Sequence, residues 1–365
     1  MMRTRTNPEM EVDRSVDAHR IEPVWAASRL ETWFPNHRRD LPWRDRRSPW
    51  RTLVSELMLQ QTQASRVAER FESFMERFPD PVSMADAGED AVVAAWEGLG
   101  YYRRARLLHA ASVRIRDLHG GEVPGTVESL IALPGIGRYT AGSIASIAFG
   151  VSAPIVDGNV IRVIARLDAV DAASDDPSLI DHCWRRAEGL ASAAAAPGVL
   201  NESLMELGAT VCRPGTPSCD ACPLVDRCGA RTEGIEVSIP RPKRPPRREL
   251  VHLHSIILRR RERILLRRRP PAGIWAGLWE LPSVESSERL SPDEVAAGLD
   301  FRVDGLRHLE SFRRLLTHRE VHFHVHEGRT RVRRGTWCDR EEASSLAMSK
   351  PMRMLVDRRA WASSD

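Results

Sequence analysis

Lysine is almost absent from this chain of 365 residues: it occurs only as Lys243 and Lys350, and the other basic residues among the 54 are arginine. The part of the chain before Lys243 therefore holds no side-chain amine, which excludes Schiff-base chemistry by a lysine there. Arginine binds phosphates and base edges well, so its excess is compatible with a nucleic-acid partner. The formal net charge of +4 does not by itself identify such a partner.

Long apolar runs are also absent, since none approaches the roughly 18 residues that a membrane span needs. The first 20 residues are polar and contain no apolar segment of a secretory signal, and we expect a loose tail there. A cytoplasmic protein without membrane contact is therefore expected, with its six cysteines reduced or bound to metal. The length suffices for two domains.

The centre of the chain, from Leu133 to Leu167, reads LPGIGRYTAGSIASIAFG and then PIVDGNVIRVIARL. Gly135 and Gly137 permit a turn with positive φ, and a helix is predicted over Arg138–Phe149. Free backbone amides at the start of that helix suit one phosphate of a nucleic-acid strand. An ordinary tight turn between two helices is the alternative interpretation.

Two carboxylates are candidates for chemistry. A helix is predicted over Trp50–Gln61, and Glu56 lies at the edge of its apolar face. Partial burial there would raise the pKa of Glu56, as a general acid near neutral pH requires. Asp157 precedes the predicted helix Val160–Leu167. The alternatives are a surface glutamate and a helix-capping aspartate.

Four cysteines lie close together in the pattern C-x6-C-x2-C-x5-C, and these are Cys212, Cys219, Cys222 and Cys228. Four thiolates in one short loop predict either tetrahedral zinc or an iron–sulfur cluster. Zinc ribbons usually use two CxxC pairs, whereas here only Cys219 and Cys222 form such a pair.

The composition changes after Ser238–Arg248, which holds four prolines and five basic residues and predicts an extended spacer. An alternating pattern beyond it predicts a smaller α+β domain with strands at Leu253–Leu258, Arg263–Arg267, Trp279–Leu281, Leu309–Phe312 and Val321–Val325. His322, His324 and His326 alternate with apolar residues there. We expect them on a solvated face opposite a buried one, with a metal site as the alternative.

The segments LPGIGRYTAG and VDGNVIRVIAR resemble the helix–hairpin–helix DNA glycosylase superfamily. Within it, SELMLQQTQ and the stretch Trp96–Ala105 resemble the MutY-type adenine DNA glycosylases. The cysteine spacing is similar to the one that this family and endonuclease III use for a [4Fe–4S] cluster. This resemblance favours the cluster over zinc at Cys212, Cys219, Cys222 and Cys228.

The C-terminal part resembles the Nudix-related domain of the same family, through Gly273–Pro282 and the turn Leu316-Thr317-His318. The resemblance implies that Thr317 and His318 read the base opposite the target, while Leu316 stands where the family usually has Phe. A Nudix hydrolase needs a glutamate-dense helix for Mg²⁺, which Glu285, Glu288, Asp293 and Glu294 do not make. We therefore expect this domain to bind rather than hydrolyse.

The resemblance implies a multidomain fold. After a tail at 1–20, an all-α helix–hairpin–helix glycosylase domain is expected at 21–236, including the [4Fe–4S] loop 212–228. A Pro/Arg-rich linker at 237–250 and an α+β Nudix-like domain at 251–361 follow.

The resemblance also implies roles for the carboxylates. Glu56, when protonated, would donate to N7 of an extruded adenine. Asp157 would stabilise the positive charge on the sugar, by its own charge or through a transient covalent bond as in retaining glycosidases. Tyr139 and Asn159 would position water and the sugar.

The DNA contacts implied by the resemblance are Trp43, Arg44, Gln60, Gln61, Tyr101, Gly135, Gly137, Glu202, Thr317 and His318. One of the two glutamines would wedge into the duplex where the target base leaves. Tyr101 would stack next to the opposite base, with a buried aromatic at a helix turn as the alternative.

The function expected from the resemblance is base-excision repair by a monomer associated with the nucleoid. The enzyme would remove adenine mispaired with 8-oxoguanine or guanine in double-stranded DNA and leave an abasic site. Tyr139 occupies the place of the lysine of bifunctional relatives, so no strand cleavage is expected. The alternatives are a noncatalytic iron–sulfur protein that binds DNA and a nucleotide hydrolase of Nudix type.

Overall fold

Residues 22–243 and 247–361 are described by the computed structural model. The predicted tail at 1–20 lies outside these residues, as do positions 244–246 of the linker. Helices occupy the chain from Pro23 to Glu233, and strands begin at Glu249. The expected order, a helical part followed by a smaller strand-containing part, is confirmed.

The helices of the first part start at residues with clear signals. Proline occupies the first turn of several of them, where a missing N–H costs nothing. Their bounds are α1 Pro23–His37, α2 Pro49–Leu59, α3 Ala64–Arg77, α4 Pro81–Ala87, α5 Glu89–Ala95, α6 Arg103–Leu118, α7 Val127–Ile131, α8 Arg138–Phe149, α9 Gly158–Leu167, α10 Pro177–Ala193, α11 Pro197–Thr210 and α12 Gly229–Glu233.

The predicted hairpin lies between α7 and α8. Helix α8 has the predicted bounds, and Gly150 ends it in the left-handed region at φ 69°. Gly135 has φ 80°, as the turn requires. Gly137, which also permits a positive φ, does not use it: it precedes α8 in extended backbone at φ −97°, because an N-cap residue is extended.

The chain forms two compact units. The first comprises residues 22–56 and 123–243, and the second comprises 57–122 and the described residues from 247 onward. The core of the first unit packs α1 against α9, α10 and α11, with residues such as Leu30, Val163 and Leu204 fully or almost fully buried. Helices α3–α6 belong to the second unit together with the strands.

A mixed sheet forms the strand-containing part. Its strands are β1 Glu249–Arg260, β2 Arg263–Arg268, β3 Trp279–Glu280, β4 Ser283–Ser286, β5 Asp304–Leu315, β6 Arg319–Arg329 and β7 Thr336–Cys338. The order is β3-β2-β1-β6-β5, with β4 paired to β1 and β7 to β2. Only β1 and β6 pair in parallel among the described strand pairs. Three short helices complete it: α13 Pro292–Ala297, α14 Arg340–Ser345 and α15 Lys350–Leu355.

The histidines of β6 are not on a solvated face. His324 and His326 are only 5% and 2% exposed, so that prediction is wrong. The parallel pairing places His252 of β1 opposite His322 and His254 opposite His324. On the same face the backbone amide of Leu290, just before α13, donates to Nε2 of His254 at 3.2 Å. The second row of histidines could not be anticipated without knowing which strand pairs with β6.

Candidate active site

Glu56 is the central group of a buried polar cluster in the first unit. It lies in α2 and is 6% exposed, and burial raises its pKa to about 7. The negative charges of Asp157 and Glu202 add to the rise, while the hydroxyl groups of Tyr139 and Ser143 offset part of it. The raised pKa predicted for Glu56 is confirmed, and at neutral pH a substantial fraction of this carboxyl carries a proton.

Helix α8 brings two hydroxyl groups to this carboxyl. Tyr139 and Ser143 are four residues apart, so they share one face of the helix. Tyr139 donates to Sδ of Met205 at 3.2 Å, and burial together with Glu56 and Asp157 raises its pKa well above the usual value. The phenol is therefore a neutral donor beside two carboxyl groups.

Asp157 caps α9. Its Oδ1 accepts hydrogen bonds from the backbone amides of Asn159 at 2.9 Å and Val160 at 2.7 Å. Its Oδ2 accepts from the Asn159 side chain at 3.0 Å. Burial raises the pKa of Asp157, and these hydrogen bonds counteract the rise. Asp157 is therefore the N-cap of α9, as the alternative interpretation expected. Its charge also acts on Glu56 and Tyr139, so capping and a catalytic role are compatible.

Arg162 connects this cap to the cysteine loop. Its guanidinium donates to Asn159 Oδ1 at 2.8 Å, to the Gly208 carbonyl at 2.6 Å and to the Cys212 carbonyl at 2.7 Å. Helices α9 and α11 meet closely here, because a Cβ on Gly208 would lie 2.6 Å from Cβ of Asn159. The side chain of Asn159 is therefore held on both sides.

Glu202 of α11 is 4% exposed and lies in an arginine cluster. Arg44 donates to it at 3.1 Å, and Arg47 pairs with it at 2.7 Å. Arg44 also donates to Glu206 at 2.9 Å and is itself 8% exposed. The structure thus places Arg44 and Glu202 as buried partners of each other, and contact of either with DNA stays a prediction.

The four cysteines of the loop line a single pocket, with Arg166 and Glu236 among the other lining residues. Burial raises the pKa of Cys222 to about 12 and also raises the pKa values of Cys219 and Cys228. Arg166 donates to Sγ of Cys212 at 3.4 Å.

This donor set fits a thiolate-bound metal group, because a cation would compensate the charge that burial disfavours. Within residues 22–243 and 247–361, however, no three His, Cys, Asp or Glu side chains already converge in a metal-binding geometry.

The second unit carries the predicted residues for reading DNA. Tyr101 is 47% exposed, which excludes the buried alternative, and its hydroxyl group lies 2.7 Å from Oγ1 of Thr317. Thr317 and His318 are exposed in the turn between β5 and β6. Tyr101 and Gln61 have positive φ values of 47° and 53°. Such strained backbone is common at functional positions.

The remaining predicted DNA contacts are placed at surfaces of their own units. Gly135 and Gly137 flank the turn before α8, Trp43 is half-buried in a 3₁₀ turn at Pro42–Arg44, and Gln60 is half-buried after α2. Their contacts with DNA stay predictions.

Ser143, Arg162 and Gly208 were missed by sequence reasoning. Ser143 could have been found from the sequence, because it lies four residues after Tyr139 and therefore on the same face of α8. Arg162 and Gly208 had none, since their roles depend on the approach of α9 and α11, which lie far apart in the chain.

Comparisons with known proteins agree on the class of protein. The family model described as HhH-GPD superfamily base excision DNA repair protein matches residues 54–188, and the NUDIX domain model matches 254–358. The adenine DNA glycosylase of Homo sapiens is 34% identical over 89% of this chain and 72% of its own length. That of Mycolicibacterium smegmatis is 44% identical over 59% of this chain and 71% of its own length.

Among solved structures, a thermostable thymine-DNA glycosylase is similar with a TM-score of 0.52 and 26% identity. The match covers 58% of this chain and 97% of that structure.

Proposed function

The chain belongs to the adenine DNA glycosylases of base-excision repair, which hydrolyse N-glycosyl bonds, and from this premise we propose its substrate and product. The substrate is adenine opposite 8-oxoguanine or guanine in double-stranded DNA, and the product is an abasic site. The main support for this chemistry is the environment of Glu56, a buried carboxyl group with a pKa of about 7 beside Asp157 and Tyr139. A carboxyl so placed is a general acid at physiological pH.

Excision begins after the adenine has left the base stack, since its ring nitrogens are otherwise out of reach. Glu56 donates its proton to N7, and the protonated purine becomes a better leaving group. The glycosidic bond breaks with its electron pair going to the base. Positive charge then develops on the sugar, where the Asp157 carboxylate stabilises it.

Water completes the hydrolysis. Tyr139 remains a neutral donor because of its raised pKa, and the Asn159 amide is oriented by Asp157 and Arg162. These two groups position the water and the sugar. The water's oxygen bonds to the sugar carbon and its proton passes to a carboxylate of the site, so the product is an abasic site with an intact strand.

The second unit supplies recognition of the opposite base. Tyr101 and Thr317 are exposed and joined by a hydrogen bond of 2.7 Å, and His318 lies next to them in the turn. Stacking on the phenol ring and hydrogen bonds from the turn suit a purine with an added polar edge. This arrangement supports 8-oxoguanine as the preferred partner base.

We propose that Cys212, Cys219, Cys222 and Cys228 hold a [4Fe–4S] cluster. The support is the shared pocket together with their spacing. Such a cluster would cross-link the loop, and the positive charge beside it would come from arginines such as Arg213 and Arg227. Iron, sulfide and zinc analysis of the purified protein separates this assignment from a zinc site.

We further expect a cytoplasmic monomer associated with the nucleoid. Within the described residues, no helix is long and apolar enough to cross a membrane.

A single-turnover assay on a duplex with one adenine opposite 8-oxoguanine tests the proposal. Strand breaks should appear only after hot alkali, because the chain has no lysine before Lys243 to form a Schiff base. Breaks without alkali would mean that another amine acts as a nucleophile. Tight binding with no breaks at all would leave a noncatalytic DNA-binding protein as the better description.

A further inference from the structure

Ser143 is a buried hydroxyl group of α8 beside the candidate site. Its side chain is fully buried, and Oγ has no hydrogen-bond partner among the described residues. Glu56 Oε2 is buried without a partner in the same way. A buried hydroxyl group without a partner costs free energy, so its presence in a well-packed helix calls for a function.

The two unpartnered groups are near enough for the Ser143 hydroxyl group to lower the pKa of the Glu56 carboxyl. Ser143 lies one helical turn after Tyr139, and the hydroxyl groups of both residues act on the Glu56 carboxyl. The other ionisable groups that face Glu56 are Asp157, at the start of α9, and Glu202 of α11. Both are carboxyl groups, which cannot donate to Glu56 when ionised.

The neighbouring serine of α8 behaves differently. Ser146 Oγ donates to the Ser143 carbonyl at 3.3 Å and accepts from the Asn201 side chain at 2.8 Å. Ser146 thus has the structural bonds usual for a serine inside a helix. Ser143 has none of them and keeps its O–H free for another acceptor.

We propose that Ser143 is a positioning residue for the general acid: its hydroxyl group donates a hydrogen bond to the Glu56 carboxylate that remains after the proton has moved to adenine. This inference rests on the proposed role of Glu56. In the ground state the carboxyl is neutral and the bond is unmade, whereas proton transfer creates the charge that the O–H then stabilises. An interaction that forms only as the charge develops lowers the barrier.

The test is the pH profile of single-turnover adenine excision by the full-length protein carrying Ser143→Ala. Loss of a donor to the carboxylate raises the pKa of Glu56. The alkaline limb of the profile, where the excision rate falls as Glu56 loses its proton, should therefore move to higher pH by about one unit. The plateau rate should fall as well, because the remaining acid is weaker. Thermal stability should be unchanged or higher, since an unpartnered hydroxyl group is removed.

Ser146→Ala is the matched control, being a buried hydroxyl deletion on the same helix. It should lower stability and leave the alkaline limb where it is. A Ser143→Ala profile that superimposes on that of the unmodified protein would overturn the inference. If instead the proposed role of Glu56 is wrong, the Glu56→Gln variant will still excise adenine, whatever the pH profile of Ser143→Ala. The two failures are therefore distinguishable.

Discussion

At the scale of single residues, the site depends on two buried carboxyl groups in different environments. Glu56 and Asp157 both have raised pKa values, and burial is the main cause in each. They differ in their partners, because Asp157 accepts three hydrogen bonds, whereas Glu56 Oε2 has none in the described residues. Their different environments give the two carboxyl groups different proposed roles, with Glu56 as the acid and Asp157 as the stabilising anion, as in other enzymes with two carboxylates.

Glu56→Gln is expected to slow adenine excision by about 10²- to 10⁴-fold, because the amide cannot donate a proton of comparable acidity. Binding to a duplex with adenine opposite 8-oxoguanine should be retained, since the amide has the same size. Single-turnover rates and titration of a labelled duplex measure the two effects. Glu69→Gln, an exposed change on α3, serves as the control, and an unchanged rate for Glu56→Gln would contradict the acid assignment.

Gly208→Ala is expected to reduce excision without touching a carboxylate. The new Cβ would lie 2.6 Å from Cβ of Asn159, so Asn159 must move and release its hydrogen bond to Asp157. Overpacking of this kind costs about 1–3 kcal/mol of stability, which thermal unfolding would detect.

Gly189→Ala in α10 is the matched control for that change. Its nearest atom would be Pro23 Cγ at 3.8 Å, an ordinary contact, so this variant should be as stable or more stable and fully active. Equal rates for the two alanine variants would show that the position of Asn159 does not matter.

At the scale of elements, the sheet of the second unit contains a histidine ladder formed by His252, His254, His308, His322, His324 and His326. Neighbouring ring centroids are 4.6 to 5.5 Å apart. His252–His324, His254–His324 and His254–His326 are stacked, whereas His252–His322 is tilted and His308–His326 is edge-to-face. Nitrogen atoms of His252 and His324 are 2.9 Å apart, and those of His254 and His326 are 3.2 Å apart. Each such contact needs one neutral nitrogen to accept, so the ladder is stable only with most rings unprotonated.

The stability of this sheet should therefore fall at acidic pH. Burial lowers the pKa values of His254, His324 and His326 to about 4 from the usual 6.5, and neighbouring histidines and Arg289 add to the effect. As pH falls, these histidines take up protons at a higher pH in the unfolded chain than in the folded chain. Their full contribution to the free energy of unfolding is therefore present well above pH 6.5 and is lost between pH 6.5 and 4. The loss reaches about 3 kcal/mol for a single ring.

Calorimetric unfolding at a series of pH values checks this prediction. His326→Leu removes one buried ring and should flatten the decline below pH 6.5. His119→Gln, which lies on the loop after α6 and outside the ladder, should leave it unchanged. A melting temperature independent of pH in that window would contradict the account.

At the scale of the whole molecule, the cysteine loop contributes both to the core and to the site. Leu224, inside the loop, is fully buried against the core of the first unit, and the Cys212 carbonyl accepts from Arg162. Order in the loop should therefore support both the fold of the first unit and the orientation of Asn159.

Cys222→Ser is expected to lower iron content, melting temperature and excision rate together, because the loop loses one of its cross-links. Metal analysis, thermal unfolding and single-turnover kinetics of one preparation measure the three. Cys183→Ala, which changes a buried cysteine of α10 outside the loop, should lose stability but keep its iron. Full iron content in Cys222→Ser would remove Cys222 from the ligand set.

The sequence by itself determined the features that depend on neighbours along the chain. The bounds of α8, the capping of α9 by Asp157 and the alternating strands follow from backbone preferences and residue periodicity over a few positions. The raised pKa of Glu56 was predicted from the apolar face of its own helix. The cysteine motif likewise lies within one short segment.

Only the tertiary structure decided what depends on approach between distant segments. The histidine face of β6 was wrongly expected to be solvated, because the histidines of β1 beside it, about 70 residues away, and the segment at Leu290 that contacts them come from distant parts of the chain. Ser143, Arg162 and Gly208 acquire their importance from what α8, α9 and α11 bring beside them. Helix and strand patterns are local, whereas a polar group's partner inside the protein is set by packing that no single segment encodes.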